Sequence, residues 1–471
     1  MIRLAAMRAF ALSCALLPVA AAFAADGVKL PAYQSATLAN GARVALVEKR
    51  DTPLVSMSVT VRGGALGDQA GKEGTASLFT DLIQKGAGTR DAAQFAEAIE
   101  NVGGGVVAGA GTESLTVNAS FLARDVDLML GLVADALQRP RLDGTEFDKT
   151  RTLAVQSIVA AKDSDPRALV GSYGDAWLFR GHPYGRPVGG SESSLAAVSL
   201  DDVKRYYADQ VGGDRMLIVV VGDFDSAAML KKLEQAFGSW RKSAAATPAV
   251  AAPMPVSGRP VLLVDKPGAT QTYFWLGNVG AARTDPARTQ QSVVNTVFGG
   301  RFTSMLNTEL RINSGLTYGA SATFDRGSQP GAFSIASYTE TSTTTQAIDL
   351  ALATLARLHK DGLDAGQLKS SQSYMLGQFP PTIETNGQIA ARLADMLFHG
   401  LGPEDVNEYA SRVASVDAAA VRSTIDQSFP QPANLALVLI GDAAKIREQV
   451  KKYGPVTEMK ISDPRFAPEG K

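Results

Sequence analysis

Two similar strand motifs, 219 residues apart, constrain the fold of this chain more than any other feature. Residues 217–223 form a continuous apolar run that ends in Gly-Asp (LIVVVGD), and residues 435–442 repeat it near the C-terminus (LALVLIGD). The corresponding glycines are Gly222 and Gly441. A long-period repeat that occurs twice indicates a duplicated domain, because solenoid repeats are shorter and more numerous.

The two halves share their order of elements as well as the repeated strand. A segment typical of a helix N-terminus precedes each repeat, SLDDV at 199–203 and SVDA at 415–418. Each half also has an early apolar strand, at 54–61 and at 271–276, followed by a helical pattern. The repeated order favours two homologous halves over a chance similarity of two strands.

Within a half, alternating strands mix with amphipathic helices. Residues 114–121 alternate apolar and polar side chains, and residues 91–100 have the spacing of an amphipathic helix. An α+β fold is therefore expected, with a sheet-and-helix domain present twice. We predict one half at 25–242 and the other at 259–471, joined by an Ala/Pro-rich linker at 243–258.

The N-terminus has the pattern of a cleaved signal peptide. Arg3 and Arg8 precede an apolar run at 9–24 that closes with Ala-Phe-Ala. The run contains Pro18 and is shorter than the roughly 20 residues that a spanning helix needs. A signal peptide at 1–24, no stable membrane span, and a periplasmic or secreted location are expected.

Charge and cysteine content exclude several classes of function. Lys plus Arg number 46 against 47 for Asp plus Glu, so the chain has no basic excess with which to bind nucleic acid. The single cysteine, Cys14, lies inside the expected signal peptide. Thiolate catalysis and cysteine-ligated metals are therefore not expected in the mature chain.

Several motifs, in a fixed order, resemble those of the insulinase/pitrilysin metallopeptidases. The resemblance is closest to the smaller subunits of heterodimers similar to mitochondrial processing peptidase. It runs from about residue 38 to residue 450, and its motifs are LANG at 38–41, the helical stretch at 74–86, HPYGRP at 182–187, VGDFD at 221–225, FGGR at 298–301, LRINSGLTY at 310–318 and ETN at 384–386.

The resemblance implies a zinc site whose ligands this chain lacks. Active members carry His-x-x-Glu-His on a helix, where two histidines four residues apart bind the metal and the glutamate activates its water. Here Ser77, Thr80 and Asp81 occupy these positions, and the third ligand, a glutamate on a later helix, aligns with Ser157. The resemblance therefore predicts no zinc in this chain, with zinc expected in a partner.

No other motif for catalysis or metal binding was found. The three histidines, His182, His359 and His399, are not spaced as ligands, and a structural role is expected for each. His359 and His399 fall near predicted helix C-termini, where the helix dipole favours them. The glycine-rich segments lack the spacing of nucleotide-binding loops, and no serine lies in a Gly-x-Ser-x-Gly motif.

In the family, the subunit without zinc supplies an arginine and a tyrosine that bind substrate, and the resemblance assigns these roles to Arg311 and Tyr318. Arg311 ends a predicted helix, Gly315 turns the chain and Tyr318 opens the next strand, so both side chains should project from one corner. Both can donate to a peptide carbonyl. Without the resemblance, the same residues would be interpreted as a surface arginine and a half-buried tyrosine.

The sequence thus predicts a non-catalytic subunit of a periplasmic zinc peptidase heterodimer. Its partners would be a homologous subunit that carries zinc and extended peptides that bind by strand addition. One alternative is a non-enzymatic scaffold or binding protein of the same fold. Another is an active zinc endopeptidase, which the missing ligands disfavour.

Overall fold

The structure is a computed structural model that describes residues 27–468. The expected signal peptide at 1–24 and Cys14 lie outside the described residues. No helix in the described span has the length and apolarity needed to cross a membrane.

Two six-stranded mixed sheets form the framework of the molecule. The first sheet has the order β1-β2-β6-β3-β5-β4 and the second β12-β7-β11-β8-β10-β9. The strands of the first sheet are β1 Gln34–Thr37, β2 Arg43–Glu48, β3 Leu54–Arg62, β4 Gly105–Ala110, β5 Ser114–Leu122 and β6 Met216–Gly222. Those of the second are β7 Val261–Asp265, β8 Gln271–Val279, β9 Ala320–Arg326, β10 Pro330–Glu340, β11 Ala436–Gly441 and β12 Val456–Lys460.

The two sheets confirm the duplicated α+β fold. The repeated motifs become β6 and β11, which occupy equivalent positions and pair in parallel with β2 and β7 respectively. Each then pairs antiparallel with the early strand of its half, β3 or β8. The edge strand beside β2 or β7 differs between the halves: β1 comes from the start of the first half, whereas β12 comes from the end of the second half.

Helices follow the strands in the same order in both halves. Those of the first half are α1 Thr75–Leu82, α2 Ala92–Glu100, α3 Val126–Gln138, α4 Gly144–Ser164, α5 Val170–Leu178, α6 Glu192–Ala197, α7 Leu200–Gln210 and α8 Ser226–Phe237. Those of the second are α9 Arg288–Phe298, α10 Met305–Asn307, α11 Thr344–Asp361, α12 Ala365–Gln378, α13 Asn386–Phe398, α14 Glu404–Asn407, α15 Tyr409–Ala414, α16 Ala418–Ser428 and α17 Ala443–Val450.

The capping signals seen in the sequence set several helix starts. Ser199 caps α7 in a capping box with Asp202, and Asp91 caps α2 in the same way with Gln94. In the second half Asp417, two residues after Ser415, caps α16. A side-chain oxygen at these positions satisfies a backbone N–H that the first helical turn leaves unpaired.

One face of each sheet carries the main core of its own half. In the first half, Met57 and Val59 of β3 belong to one buried apolar cluster with side chains of α1 and α3, such as Phe79. In the second half, Phe274 and Leu276 of β8 belong to a cluster with α9 and α11. Helices of the same half therefore cover this face.

The opposite face of each sheet is covered by a helix from the other half. Helix α5 contacts β8 and β11 of the second sheet, with Tyr173 and Trp177 in one apolar cluster with Trp275. Helix α13 contacts β3 and β6 of the first sheet, and Leu393 is fully buried there. Because both faces are covered, β6 and β11 are buried along their whole length, which explains their continuous apolar sequences.

Candidate functional site

Helix α1, which carries two of the three zinc-ligand positions and the general-base position, is held rigidly at its N-terminus. The carboxylate of Asp68 accepts hydrogen bonds from the backbone N–H groups of Gly74 and Ala76, both at 2.9 Å. Gly74 has φ of 95°, and a Cβ there would lie 2.8 Å from Leu195, so glycine is required. The scaffold of the site is therefore intact.

The side chains at the zinc positions do not fit a zinc ion. Thr80, at the general-base position, is 1% exposed, and its hydroxyl donates to the carbonyl of Ser77 at 2.9 Å. Ser157 is exposed on α4 and offers a neutral hydroxyl. Zinc requires three or four histidine, cysteine or carboxylate ligands, and only Asp81 among these residues is one.

Asp81 itself has the environment of an isolated carboxylate. Its carboxylate makes no hydrogen bond or ion pair with any described residue. Burial raises the pKa of its carboxyl, and the charge of Lys85 opposes that rise. This carboxylate has no second ligand beside it on α1.

The three histidines are each held by protein groups. His182 Nε2 lies 2.9 Å from the carbonyl of Ala251, and His359 Nε2 lies 3.1 Å from that of Pro430. His399 Nδ1 lies 2.9 Å from the carbonyl of Asp395. Among residues 27–468, no three His, Cys, Asp or Glu side chains converge in a way that could hold a metal ion.

Arg311 and Tyr318 lie together, and a third residue joins them. The Arg311 guanidinium carbon lies 4.3 Å from the ring centre of Tyr318 and 4.6 Å from that of Phe302. Both rings are unusually exposed for aromatic side chains, 73% for Tyr318 and 60% for Phe302. We call this arrangement the arginine stack. Each cation–π contact at an exposed site contributes roughly 0.5–1 kcal/mol to fixing the arginine.

The backbone under the arginine stack has an unusual helical geometry. After α10, residues Thr308–Asn313 form a π-helical turn, so the helix that starts at its cap Ser304 ends two residues beyond Arg311. Gly315, with φ of 64°, then reverses the chain. Single π-helical turns are frequent at functional sites because they redirect one side chain out of the regular helix surface.

Side-chain hydroxyls fix the loop that carries Tyr318. Thr317 Oγ1 exchanges hydrogen bonds with Gly319, at 3.0 and 3.1 Å, and Ser337 on β10 donates to the carbonyl of Gly319 at 2.9 Å. On the helix side, Glu309 accepts a hydrogen bond from Arg357 at 2.7 Å. Tyr318 is thus exposed on a loop whose backbone is tied to both neighbouring elements.

The polar atoms of the arginine stack have no partners among the described residues. Neither the Arg311 guanidinium nor the Tyr318 hydroxyl makes a hydrogen bond there. Both ring centres lie within 4.6 Å of the guanidinium carbon, and the guanidinium N–H donors remain available to an acceptor. Strand β9 starts at Ala320, two residues after Tyr318, and has a neighbour on one side only. An extended peptide could pair with that free edge beside the stack.

Sequence reasoning missed two features, one beside the arginine stack and one on β3 of the first half. Phe302 directly follows the motif at 298–301 but was not recognised as part of the site; an aromatic residue in a polar turn is the signal that could have identified it. The other is the set of polar side chains on one face of β3, Ser56, Ser58 and Thr60. Because β3 lies in the middle of the sheet, polar residues there indicate an internal polar space.

Profiles of two domain families match most of the described chain. The profile described as "Insulinase (Peptidase family M16)" matches residues 43–192. The profile described as "Peptidase M16 inactive domain" matches residues 197–375. Both matches come from one family and follow each other along the chain.

Relatives with peptidase or protease in their names are similar over between about half and nearly all of their own length. An uncharacterized zinc protease of Mycobacterium leprae is 28% identical, over 76% of this chain and 80% of its own length. One of Bacillus subtilis is 25% identical, over 85% of this chain and 97% of its own length. A mitochondrial-processing peptidase subunit beta of Lentinula edodes is 25% identical, over 45% of this chain and 46% of its own length.

Two solved structures share the fold over their whole length. The structure described as a peptidase M16 inactive domain from Pseudomonas fluorescens has a TM-score of 0.80 at 21% identity, covering 87% of this chain and 98% of its own. A protease from Helicobacter pylori has a TM-score of 0.79 at 19% identity, covering 87% and 100%. At such low identity these matches establish the arrangement of the two halves and nothing about activity.

Proposed function

Because the chain belongs to the insulinase family of peptidases, family M16, we propose that it acts as the non-catalytic subunit of a zinc metallopeptidase heterodimer. One observation carries the proposal: an exposed arginine and tyrosine with unpaired polar atoms lie together in a chain whose zinc positions cannot complete a zinc site. The arginine stack presents unpaired donors beside the free edge of β9. At the zinc positions, the side chains that could bind a metal are three hydroxyls and one carboxylate.

In this proposal a homologous partner chain holds the zinc, which would polarise the scissile carbonyl when bound there. The residues of this chain bind and orient the peptide. An extended peptide adds to the edge of β9 through its backbone, and the Arg311 and Tyr318 donors bind the carbonyl whose oxygen gains negative charge. Phe302 and Tyr318 keep the guanidinium in one orientation.

The similarity to a processing-peptidase subunit supports an assembly of unlike chains. That relative is named as one subunit of its enzyme. The N-terminal sequence supports export to the periplasm, because Arg3 and Arg8 precede an apolar run that ends in Ala-Phe-Ala. We therefore propose that the heterodimer works in the periplasm.

Mixing experiments test the proposal. The mature chain and a homologous chain from the same source that carries His-x-x-Glu-His are purified separately, then mixed. Size-exclusion chromatography measures assembly, and cleavage of an unstructured fluorogenic peptide measures activity. The proposal requires a complex whose activity exceeds that of either chain by a large factor. A complex that forms without any gain in activity would instead favour the scaffold function.

A further inference from the structure

A cavity of about 560 Å³ lies between the two halves. Its walls come from β3 and β5 of the first sheet, from α5 and α13, and from the strands β9 and β10 at their connecting turn. This volume is within the range of small-molecule sites in proteins. We call it the inter-half cavity. It lies on the face of the first sheet opposite to the main core, and therefore away from α1.

One wall of the inter-half cavity presents hydroxyl groups that have no partners among the described residues. Side chains alternate along β3, so Met57 and Val59 enter the main core while Ser58 and Thr60 face the cavity. Ser58 is 4% exposed and Thr60 is 6% exposed, yet neither hydroxyl bonds to a described residue. Both residues line the cavity, so this wall presents two unpaired hydroxyls to whatever occupies it.

Two carboxylates on other walls also lack partners. Asp175 projects from α5 into the cavity, and Asp325 on β9 is exposed at its mouth. Neither carboxylate accepts a hydrogen bond or forms an ion pair with a described residue. Burial, together with repulsion from Asp325, raises the pKa of Asp175 to about 7. A positive charge between the two groups would relieve both effects.

The remaining charged groups that face the cavity each have at least one partner, although the Nε atom of Arg326 has none among the described residues. Glu113 accepts hydrogen bonds from the Tyr184 hydroxyl at 2.6 Å and from Ser328 at 2.9 Å. Asp395 accepts hydrogen bonds from Arg283 and lies 3.2 Å from His399, and Arg326 donates to Gln291 at 3.1 Å. Asp175 and Asp325 are therefore the carboxylates in the cavity that can receive a ligand.

We propose that the inter-half cavity binds a compact organic cation, an alkylammonium or guanidinium group, between Asp175, Asp325 and the hydroxyls of Ser58 and Thr60. Such a group carries a positive charge and several N–H donors, which complement two carboxylates and two hydroxyl acceptors. The rings of Phe179, Tyr184 and Phe398 also line the cavity and suit the methylene chain of an amine. A metal ion fits less well, because no three potential ligands converge among residues 27–468.

The cation could be the basic side chain of a peptide or a free amine. Both have the same charged group, and a calorimetric titration of the mature chain alone distinguishes them. The probes are putrescine, N-acetyl-lysine amide and an extended peptide with one lysine. N-acetyl-norleucine amide is the neutral control and should bind at least roughly 10-fold more weakly than N-acetyl-lysine amide, because it lacks the charge. Equal affinity for putrescine and the lysine peptide indicates a site for free amines, whereas much tighter binding of the peptide indicates a site for basic side chains.

Variants of the cavity test which groups hold the cation. Asp175→Asn and Asp325→Asn should each weaken binding by at least roughly 10-fold, because each leaves the cation without one partner. Combining Ser58→Ala with Thr60→Val should weaken binding several-fold, and it should leave folding intact because these hydroxyls bond to no described residue. Asp361→Asn, at an exposed acid in the last turn of α11, removes the same charge outside the cavity and should have no effect.

Absence of binding by all three amines would overturn the proposal. So would binding that is the same in the wild type, Asp175→Asn and Asp325→Asn. Neither result depends on a partner chain or on peptidase activity, so failure of this proposal would leave the proposed function open to its own test.

Discussion

Gly174 of α5 lies directly against the indole ring of Trp275 on β8. A Cβ at position 174 would lie 2.6 Å from Trp275 Cδ2 and 2.7 Å from Cε2, closer than carbon atoms can approach. Trp275 is only 4% exposed and belongs to the apolar cluster between α5 and the second sheet. At this contact the two halves of the molecule meet with no space for an added methyl group.

Gly174→Ala should therefore destabilise the protein, although alanine is the better helix former. Overpacking of a buried contact costs on the order of 1–3 kcal/mol, which outweighs the gain in helix propensity of about 1 kcal/mol. Gly171→Ala is the matched control in the same helix, because a Cβ there meets nothing within 4 Å. Urea denaturation of both variants measures the difference. Equal stability of the two variants would show that the sheet can move away from α5.

Asp405→Asn should be among the most destabilising single substitutions in the second half. Asp405 is 2% exposed and accepts hydrogen bonds from Arg283, Arg288 and Arg392 at 2.7–2.9 Å. Losing its charge leaves three partly buried arginines without their common partner, which costs on the order of 3–5 kcal/mol. Circular dichroism during thermal unfolding provides the measurement. The exposed control is Asp361→Asn. A shift in melting temperature for Asp405→Asn that is no larger than the shift for this control would contradict the expectation.

The same carboxylate contributes to acid sensitivity. Burial alone would raise the pKa of Asp405, but hydrogen bonds from Arg283 and Arg288 lower it from 3.8 to about 2. A carboxyl whose pKa is lower in the folded state stabilises the fold above its unfolded pKa. That contribution is lost as the pH falls from about 4 to about 2. The difference in unfolding free energy between wild type and Asp405→Asn should shrink over this window, and a constant difference would refute the assignment.

Asp175 should have the opposite dependence on pH. Its pKa in the folded protein, about 7, lies above the ordinary value of 3.8, so the folded state holds the proton more tightly. The wild type should therefore lose stability as the pH rises from about 4 to about 7, with an upper limit of roughly 4 kcal/mol for a shift of this size. Asp175→Asn carries no charge at any pH.

The unfolding free energy of Asp175→Asn should therefore increase relative to that of the wild type as the pH rises. Unfolding free energies at pH 4.5 and pH 8, measured with urea, give the comparison. Asp325 is present in both proteins, and its repulsion of Asp175 is part of the effect that the comparison measures. A difference between variant and wild type that stays constant with pH would mean that Asp175 is already ionised near pH 4.5.

Substitutions in the arginine stack should lower turnover of the heterodimer without lowering its yield. Tyr318→Phe keeps the ring over Arg311 but removes the hydroxyl, and loss of one positioned donor to a developing oxyanion typically costs on the order of 100- to 1000-fold. Arg311→Lys should also be damaging, because an ammonium cannot stack or present a planar fork. Phe302→Ala should cost only about 2- to 5-fold, the equivalent of one exposed cation–π contact.

Tyr374→Phe is the control for these variants, since Tyr374 is an exposed tyrosine outside the stack at 42% exposure. Turnover and heterodimer yield are measured side by side on all four proteins. Wild-type turnover in both Tyr318→Phe and Arg311→Lys would end the assignment of a role in catalysis to this subunit.

The purified wild-type chain should hold no stoichiometric zinc. The four substitutions Ser77→His, Thr80→Glu, Asp81→His and Ser157→Glu, made together, should restore binding of one zinc per chain. Metal analysis after dialysis measures the bound zinc. Helices α1 and α4 already contact each other, so the added ligands face a formed scaffold. The same variant with alanine in place of the second histidine is the control. Tight zinc binding by the wild type would contradict the alignment on which the zinc positions rest.

The repeated elements were predictable because local patterns specify them. The alternating residues 114–121 predicted β5, which ends one residue later at Leu122, and the apolar run at 271–276 predicted β8, which continues to Val279. Strand ends depend on pairing with neighbours, and β8 extends because β10 pairs with it as far as Val279. The helix from Ser304 likewise ran past its predicted end at Arg311, since a π-helical turn has no clear sequence signal.

The exchange of α5 and α13 could not be predicted from the sequence. Both helices are apolar enough to cover a sheet, but nothing in their residues specifies which sheet. The polar face of β3 was equally ambiguous, because serine and threonine at alternate positions are typical of a strand that faces solvent. The proximity of Arg311, Tyr318 and Phe302 is now described, whereas the role of Arg311 and Tyr318 in binding substrate stays a prediction.

The exchange of α5 and α13 gives one chain the arrangement of a symmetric dimer. Two identical subunits that each donated a helix to the other would have the same contacts, and their association would depend on protein concentration. Joining them by a short connection replaces that dependence with an effective concentration typically in the millimolar range. Once the halves are fused, their interface need not remain self-complementary. The interface is accordingly not symmetric: Gly174 of α5 packs directly against Trp275 of the second sheet, and the polar inter-half cavity lies beside this contact, lined by both α5 and α13.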